Sequence, residues 1–333
     1  MSYVLIIAEA GINHNGDMAL AKKLVDAAAD AGADYVKFQS FKTDALLLES
    51  AEKAVYQKKI TGDGESQYDM LAKLELSEAD HHELIGYCED KKIKFLSSPF
   101  DLDSIDLLVK LNLDYLKVPS GEITNYPYIQ KIGASGKDIL LSTGMSNLGE
   151  VEAALNLLIA SGAERKSISV MHCSTEYPTP AAEANLRAIE TIRTALNVNT
   201  GYSDHTLGME ACIAAAALGA TVIEKHITLD RYMDGPDHLA SMEPTEFKRF
   251  VQCIRNTQTM LGSGLKQPSA SELKNIGVAR KSIVAKKAIE KGETISEDKI
   301  TTKRPGYGIS PMRWHDVIGK AASRDYKTDE QID

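Results

Sequence analysis

With 333 residues, 43% hydrophobic and 26% charged, the chain has the size and make-up of a globular protein with one large domain and one small one. Its net charge of −9 is unevenly spread: residues 278–333 hold 12 Lys/Arg against 9 Asp/Glu, of 38 and 47 in the whole chain. The acidic body argues against non-specific nucleic-acid binding and leaves any anionic ligand to a few local cations.

The four cysteines (Cys88, Cys173, Cys212 and Cys253) are scattered without a CxxC pair, as expected of buried thiols in a reducing compartment. The run Val4-Leu5-Ile6-Ile7-Ala8 lacks the basic flank of a signal peptide. The longest apolar run, Ala211 to Ile223, is too short to span a bilayer. The expectation is a cytoplasmic enzyme with no membrane segment.

In chain order, short β-branched runs predict strands at Val4–Ala8, Asp34–Phe38, Ile93–Ser97, Asp114–Val118, Asp138–Leu141, Ser167–Met171, Val198–Gly201 and Ala220–Lys225. Helical patterns separate them, such as Leu20 to Ala31 closed by Gly32, and a further helix is predicted from Pro244 to Leu261. Eight βα units in this length predict a (β/α)8 TIM barrel. The gap from Thr43 to Ser77 reads as an enlarged loop over the active face. Gly262-Ser-Gly-Leu-Lys-Gln-Pro268 reads as a boundary. The division is therefore a barrel over 1–265, a linker over 266–277 and a small domain over 278–333.

Nearly every predicted strand ends in polar residues: Glu9; Lys37 and Gln39; Ser97-Ser98; Lys117, Ser120 and Glu122; Ser142-Thr143; His172, Glu176 and Tyr177; Ser203-Asp204-His205; Glu224 and His226. Strand periodicity puts Lys37 with Gln39, and Glu224 with His226, on one face, while Val36, Phe38 and Ile223 face the helices. Such a set at strand C-termini describes the active face of a barrel. His205 and His226, on adjacent strands seven and eight, are then candidate metal ligands, against the reading of two hydrogen-bonded strand-end histidines.

Lys37 and Lys117, with the hydroxyls and glycine-flanked backbone of Ser120-Gly121 and Ser142-Thr143-Gly144, suit a phosphate or carboxylate. The alternative for Ser142-Thr143-Gly144 is a cap for the helix starting near Leu148. Glu9, Glu122 and Glu224 are acid/base candidates, or salt-bridge partners of Lys37 or Lys117. His81-His82 reads as a solvated helix face, and Cys173 as a buried thiol.

Ten motifs carry a resemblance. They are Ile7-Ala-Glu-Ala-Gly-Ile-Asn-His-Asn-Gly16, Val36-Lys-Phe-Gln39, Ser98-Pro-Phe100, Lys117-Val-Pro-Ser-Gly-Glu122 and Leu141-Ser-Thr-Gly-Met145, then His172-Cys-Ser-Thr-Glu-Tyr-Pro178, Gly201-Tyr-Ser-Asp-His-Thr206, Glu224-Lys-His226, Gly235-Pro-Asp237 and Lys303-Arg-Pro-Gly306. In this order they resemble the sialic acid synthase family, the bacterial N-acetylneuraminate and N,N'-diacetyllegionaminate synthases, over the whole chain. Ser98, where some members carry Thr, and Glu176, where some carry Asn, depart from parts of the family. Phe38 to Lys42, Gly121 to Asn125 and Met145 to Gly149 lean toward the legionaminate branch.

The resemblance implies a (β/α)8 barrel followed by an antifreeze-like (SAF) domain, swapped onto the partner in a homodimer. It implies condensation of phosphoenolpyruvate with an N-acylated mannosamine and water, releasing phosphate by C–O cleavage. By position, Lys117, Ser120, Ser142, Thr143 and Ser203 match phosphoenolpyruvate-binding residues. His205 and His226 match the ligands of a divalent metal, Mn²⁺ first, with Co²⁺ or Mg²⁺ as alternatives. Glu9, Lys37, Glu122 and Glu224 match catalytic positions, while Gln39, Tyr177 and Asp237 match the sugar site. Arg304 matches a tail arginine that reaches the partner's sugar. Two rivals stand beside this: a Schiff-base pyruvate aldolase using Lys37 or Lys117, and a non-catalytic carbohydrate-binding protein suggested by the tail.

Overall fold

The computed structural model describes residues 3–53, 64 and 66–333, and divides into two compact units, Met1–Ser263 and Gly264–Asp333. In the first, eight parallel strands form one sheet: β1 Leu5–Gly11, β2 Tyr35–Ser40, β3 Lys94–Pro99, β4 Tyr115–Val118, β5 Asp138–Ser142, β6 Ile168–Cys173, β7 Asn199–Asp204 and β8 Val222–His226. Their order is β3-β2-β1-β8-β7-β6-β5-β4. Since β1 pairs with β8, and β3 and β4 lie side by side, the sheet curls into a near-closed barrel. All eight expected strands are present, and seven run one to three residues further toward the C-terminus than the apolar pattern marks. The pattern fades there because the strand tips are polar.

Alternation sorts the side chains. Ile7, Tyr35, Leu96, Leu140, Met171 and Val222 form a buried plug inside the barrel, while Val36, Phe38, Ile139, Leu141 and Ile223 pack outward with the helices. Two residues beyond each plug position the inward-facing residue turns polar: Glu9, Lys37, Ser98, Ser142, Cys173 and Glu224. The plug is thus the floor of the site.

The helices begin and end on local signals. Met18–Ala31 starts where Asp17 accepts from the Ala19 N–H and stops at Gly32, whose φ of 84° suits a residue without Cβ. The enlarged stretch after β2 contains helices Thr43–Leu46 and Gln67–Ala72; the rest of that expectation, residues 54–63 and 65, lies outside the described residues.

One expectation is corrected. In helix Glu78–Lys91, His82 is exposed but His81 is fully buried. Its Nδ1 is 2.7 Å from the Ser77 carbonyl and its Nε2 2.6 Å from Ser40 Oγ, which also meets Ser97 at 2.7 Å. The carbonyl can only accept, so Nδ1 donates and Nε2 takes the Ser40 hydroxyl proton. A charged helix segment hides this inward face, because one polar contact across the barrel wall leaves no mark on periodicity.

The second unit contains helix Ala270–Ala279, capped by Ser269, and an antiparallel pair, β9 Ser282–Ala285 and β10 Ile300–Lys303. Ile283, Ile289, Ile295, Ile300, Val317 and Tyr326 belong to its own small core. No described helix is long and apolar enough to cross a membrane.

Candidate active site

The rims of β1, β2, β4, β7 and β8 bring together Glu9, Lys37, Lys117, Ser203 and Glu224, none more than 3% exposed. Lys117 Nζ donates to both Glu224 oxygens at 2.9 and 3.1 Å, and Ser203 Oγ adds a hydrogen bond to Oε1 at 3.1 Å. Lys37 Nζ lies 2.6 Å from Glu9 Oε2 and 3.7 Å from Glu224 Oε1, and donates to Ser98 Oγ at 2.8 Å. The contact with Glu9 is ionic, its angle leaving Oε2 without a formal hydrogen bond. Gln39 Nε2 donates to Glu9 Oε1 at 3.3 Å.

The two carboxylates therefore share one cationic surround yet behave differently. Burial pushes Glu9 up to about 7, only partly offset by Lys37. For Glu224 burial acts the same way, but Lys117 and Lys37 outweigh it and draw the group down to about 2. One acid stays ionised while the other exchanges its proton near neutrality, the separation that divides acid/base work between paired carboxylates. Burial acts to lower Lys37, but Glu224 and Glu9 outweigh it and hold the ammonium protonated, which disfavours its use as a Schiff-base amine.

His205 and His226 do meet. Their ring centroids are 5.2 Å apart at 62°, and the Tyr177 ring stacks on His205 at 4.0 Å and meets His226 edge-on at 5.7 Å. Burial holds His205 down to about 4 and His226 well below its ordinary value, so both imidazoles are neutral. Nδ1 of His205 faces the Ser174 carbonyl, which can only accept, so that nitrogen carries the proton and Nε2 keeps its lone pair. Nδ1 of His226 is buried without a hydrogen-bond partner among the described residues. These are the features of imidazoles that hold a cation. Among the described residues no group of three His, Cys, Asp or Glu side chains gathers for a metal.

The hydroxyl loops converge beside Lys117. The Gly144 N–H donates to Ser120 Oγ at 3.0 Å, and Thr143 Oγ1 donates to the Met171 carbonyl at 2.9 Å. Helix Leu148–Ala160 is capped by Asn147 and Glu150, so Ser142-Thr143-Gly144 is not its cap. Ser142 Oγ is buried without a hydrogen-bond partner among the described residues, as befits a hydroxyl kept for a ligand.

Glu122 stands apart. It makes no ion pair with Lys117; its Oε2 accepts from Asn125 at 2.6 Å, and it lines a separate cleft of about 450 Å³ with Leu46 and Phe100. Burial raises its carboxyl. Asp237 is buried and pushed up to about 6 by burial. Arg304 is exposed in the second unit. Ser98, one of the strand-end polar residues of the expected active face, and Cys173, expected as a buried thiol, face inward with Glu9, Lys37 and Glu224. Strand alternation from Leu96 and Met171 was the signal for both. Cys173 Sγ sits 3.9 Å from His205 Nδ1, yet burial raises its thiol, so it is an unactivated buried thiol as expected. A larger cavity of about 1040 Å³, lined by Pro178, Leu186, Leu207 and Ala211, contains none of these charged residues and is not the site.

The NeuB family matches residues 24–266, and the SAF domain matches residues 280–333. The chain belongs to the NeuB family. It is 55% identical to the N,N'-diacetyllegionaminic acid synthase of Campylobacter jejuni subsp. jejuni serotype O:2, over 100% of this chain and 99% of that one. It is 45% identical to the enzyme of the same name from Legionella pneumophila, over 96% and 90%. A crystal structure of N-acetylneuraminic acid (sialic acid) synthetase from Leptospira borgpetersenii superposes with a TM-score of 0.72 at 32% identity, covering 82% of this chain and 90% of that one. NeuB-family membership makes this chain an enzyme, a nonulosonate acid synthase carrying a C-terminal SAF domain. The expected barrel and tail are borne out.

Proposed function

We propose that this NeuB-family enzyme condenses phosphoenolpyruvate with 2,4-diacetamido-2,4,6-trideoxymannose and water, giving N,N'-diacetyllegionaminate and phosphate. The observation that carries the choice of sugar is the 55% identity over the full chain to a synthase of that name, against 32% to the human N-acetylneuraminate-9-phosphate synthase.

The donor is anionic at both ends. Lys117 with Ser120, Ser142, Thr143 and Ser203 forms its cradle, and the unpartnered Ser142 hydroxyl supports this. C3 of the enol attacks the sugar aldehyde, leaving a cation at C2. Glu224, drawn to about 2, stays ionised beside it and stabilises that charge. Water then adds at C2, and the C–O bond to phosphate breaks to leave the 2-keto acid. Glu9, near 7, exchanges protons with the aldehyde oxygen and the water, with Lys37 and Gln39 holding its carboxyl in place. Tyr177 and Asp237 take the sugar side.

His205 and His226 would hold a divalent cation, Mn²⁺ by the nitrogen content of the pair. When bound, such an ion supplies Lewis-acid polarisation of a carbonyl. The chain works in the cytoplasm as a homodimer, in which Arg304 of one chain reads the N-acyl group in the other's site. The exposure of Arg304 supports that role.

The test is phosphate release from phosphoenolpyruvate with either sugar, with and without chelator. Turnover should favour the 2,4-diacetamido sugar by about tenfold or more in kcat/KM, a difference of roughly 1.4 kcal/mol. Preference for N-acetylmannosamine overturns the choice of sugar; no release with either overturns the reaction.

A further inference from the structure

Strand alternation turns Asp204 and Lys225 away from the site, outward under helix Glu210–Ala217. Both are 1% exposed, and Lys225 Nζ donates to Asp204 Oδ2 at 2.7 Å. They face each other on the last rung of the β7–β8 ladder. His205 and His226 each lie one residue beyond that last β7–β8 rung: β1 still holds His226 through Glu9, and Thr179 N–H donates to the His205 carbonyl at 2.8 Å, but no backbone rung ties the two histidines to each other.

We propose that Asp204 and Lys225 are a positioning pair that sets the spacing of His205 and His226, and so the affinity for a divalent cation; this rests on reading the two imidazoles as cation ligands. Lys225 Nζ bonds not only Asp204 but also the Thr206 carbonyl, so it grips the chain on both sides of His205. Asp204 accepts four more hydrogen bonds: from Thr206 N at 2.9 Å, Tyr202 OH at 3.0 Å, Cys212 Sγ at 3.1 Å and Thr206 Oγ1 at 3.2 Å. Each of these bonds has a direction, whereas an apolar pair would fill the same space without fixing β7 against β8 beyond their last shared rung. A metal site tolerates deviations of only about 0.2 Å in its ligand distances. A buried, satisfied ion pair costs desolvation, and fixing a register is the best-attested return for it.

The experiment titrates Mn²⁺ alone into chelator-treated full-length protein, reading free Mn²⁺ by electron paramagnetic resonance, with thermal unfolding measured in parallel. Lys225→Met and Asp204→Asn should each weaken binding on the order of 10- to 100-fold, as loss of outer-shell support does elsewhere. Lys225→Met/Asp204→Asn together should recover the unfolding midpoint relative to the single variants, because no buried charge is left unpaired, yet still bind Mn²⁺ weakly. A folded double variant with parental Mn²⁺ affinity overturns the inference and leaves the pair a stability device. Should the double variant not fold, Tyr202→Phe/Cys212→Ala, which keeps the ion pair but removes two donors, decides by the same criterion. If His205→Asn and His226→Asn leave Mn²⁺ affinity unchanged, the cation reading itself fails, an outcome distinct from failure of the positioning pair.

Discussion

Two acids in one site, Glu9 near 7 and Glu224 near 2, differ because burial outweighs the pull of Lys37 on Glu9, whereas Lys117, donating to both oxygens, and Lys37 together outweigh it on Glu224. Glu9→Gln should therefore lower kcat by about 10²- to 10⁴-fold while phosphoenolpyruvate binding changes little, a split visible by comparing turnover with equilibrium titration. Equal losses in both would reassign Glu9 to the donor cradle. Asp237 makes a different prediction. Its folded value, about 6, lies above the ordinary 3.8 because it is buried. The protonated form is favoured on folding, so its contribution to stability is full below pH 4 and is lost as pH climbs through 6. Asp237→Asn should thus stabilise the protein at pH 8 by on the order of 2 kcal/mol, with little effect at pH 4, seen as a Tm difference confined to the higher pH. No such difference would mean the carboxylate is better solvated than its burial implies.

At the scale of elements, the loop after β5 turns on a close approach. A Cβ on Gly144 would sit 2.6 Å from Thr175 Cγ2 and 2.8 Å from Ser120 Oγ, so only glycine lets its N–H reach the Ser120 hydroxyl. Gly144→Ala should raise the KM for phosphoenolpyruvate by about tenfold or more with a smaller effect on the sugar, measured by initial rates. Gly201 shows the same constraint inside the barrel, its Cβ position lying 2.8 Å from the Val222 carbonyl of the neighbouring strand. At this scale most of the fold was legible. Tyr35 to Gln39 announced by simple alternation which side chains face inward and where the apolar floor gives way to Lys37. The role of Ser142-Thr143-Gly144 was not legible, because Asn147, five residues on from Ser142, is an equally good cap, and only the folded helix start shows which one is used.

At the scale of the molecule, the acidic body and the net charge of −9 leave the carboxylate and phosphate of the proposed donor to local cations such as Lys117 rather than to a basic surface. Arg304 belongs to this scale, since its proposed target lies on another chain. Arg304→Ala should raise the sugar KM far more than the phosphoenolpyruvate KM, by about tenfold for loss of one charge-assisted hydrogen bond. Equal effects on the two substrates would remove Arg304 from the sugar site.

Composition, period and motif order were enough to determine the eight strands, the polar rim, the small tail domain and the family. These are local properties, written in side chains two to ten residues apart. Tertiary structure alone decided that Lys117 serves Glu224, 107 residues away, that Glu122 stands outside that ion-pair network, and that His81 faces inward. It also decided which glutamate keeps its charge. A pKa and a hydrogen-bond partner depend on burial and on contacts made when β1 pairs with β8, and neither exists until the barrel closes.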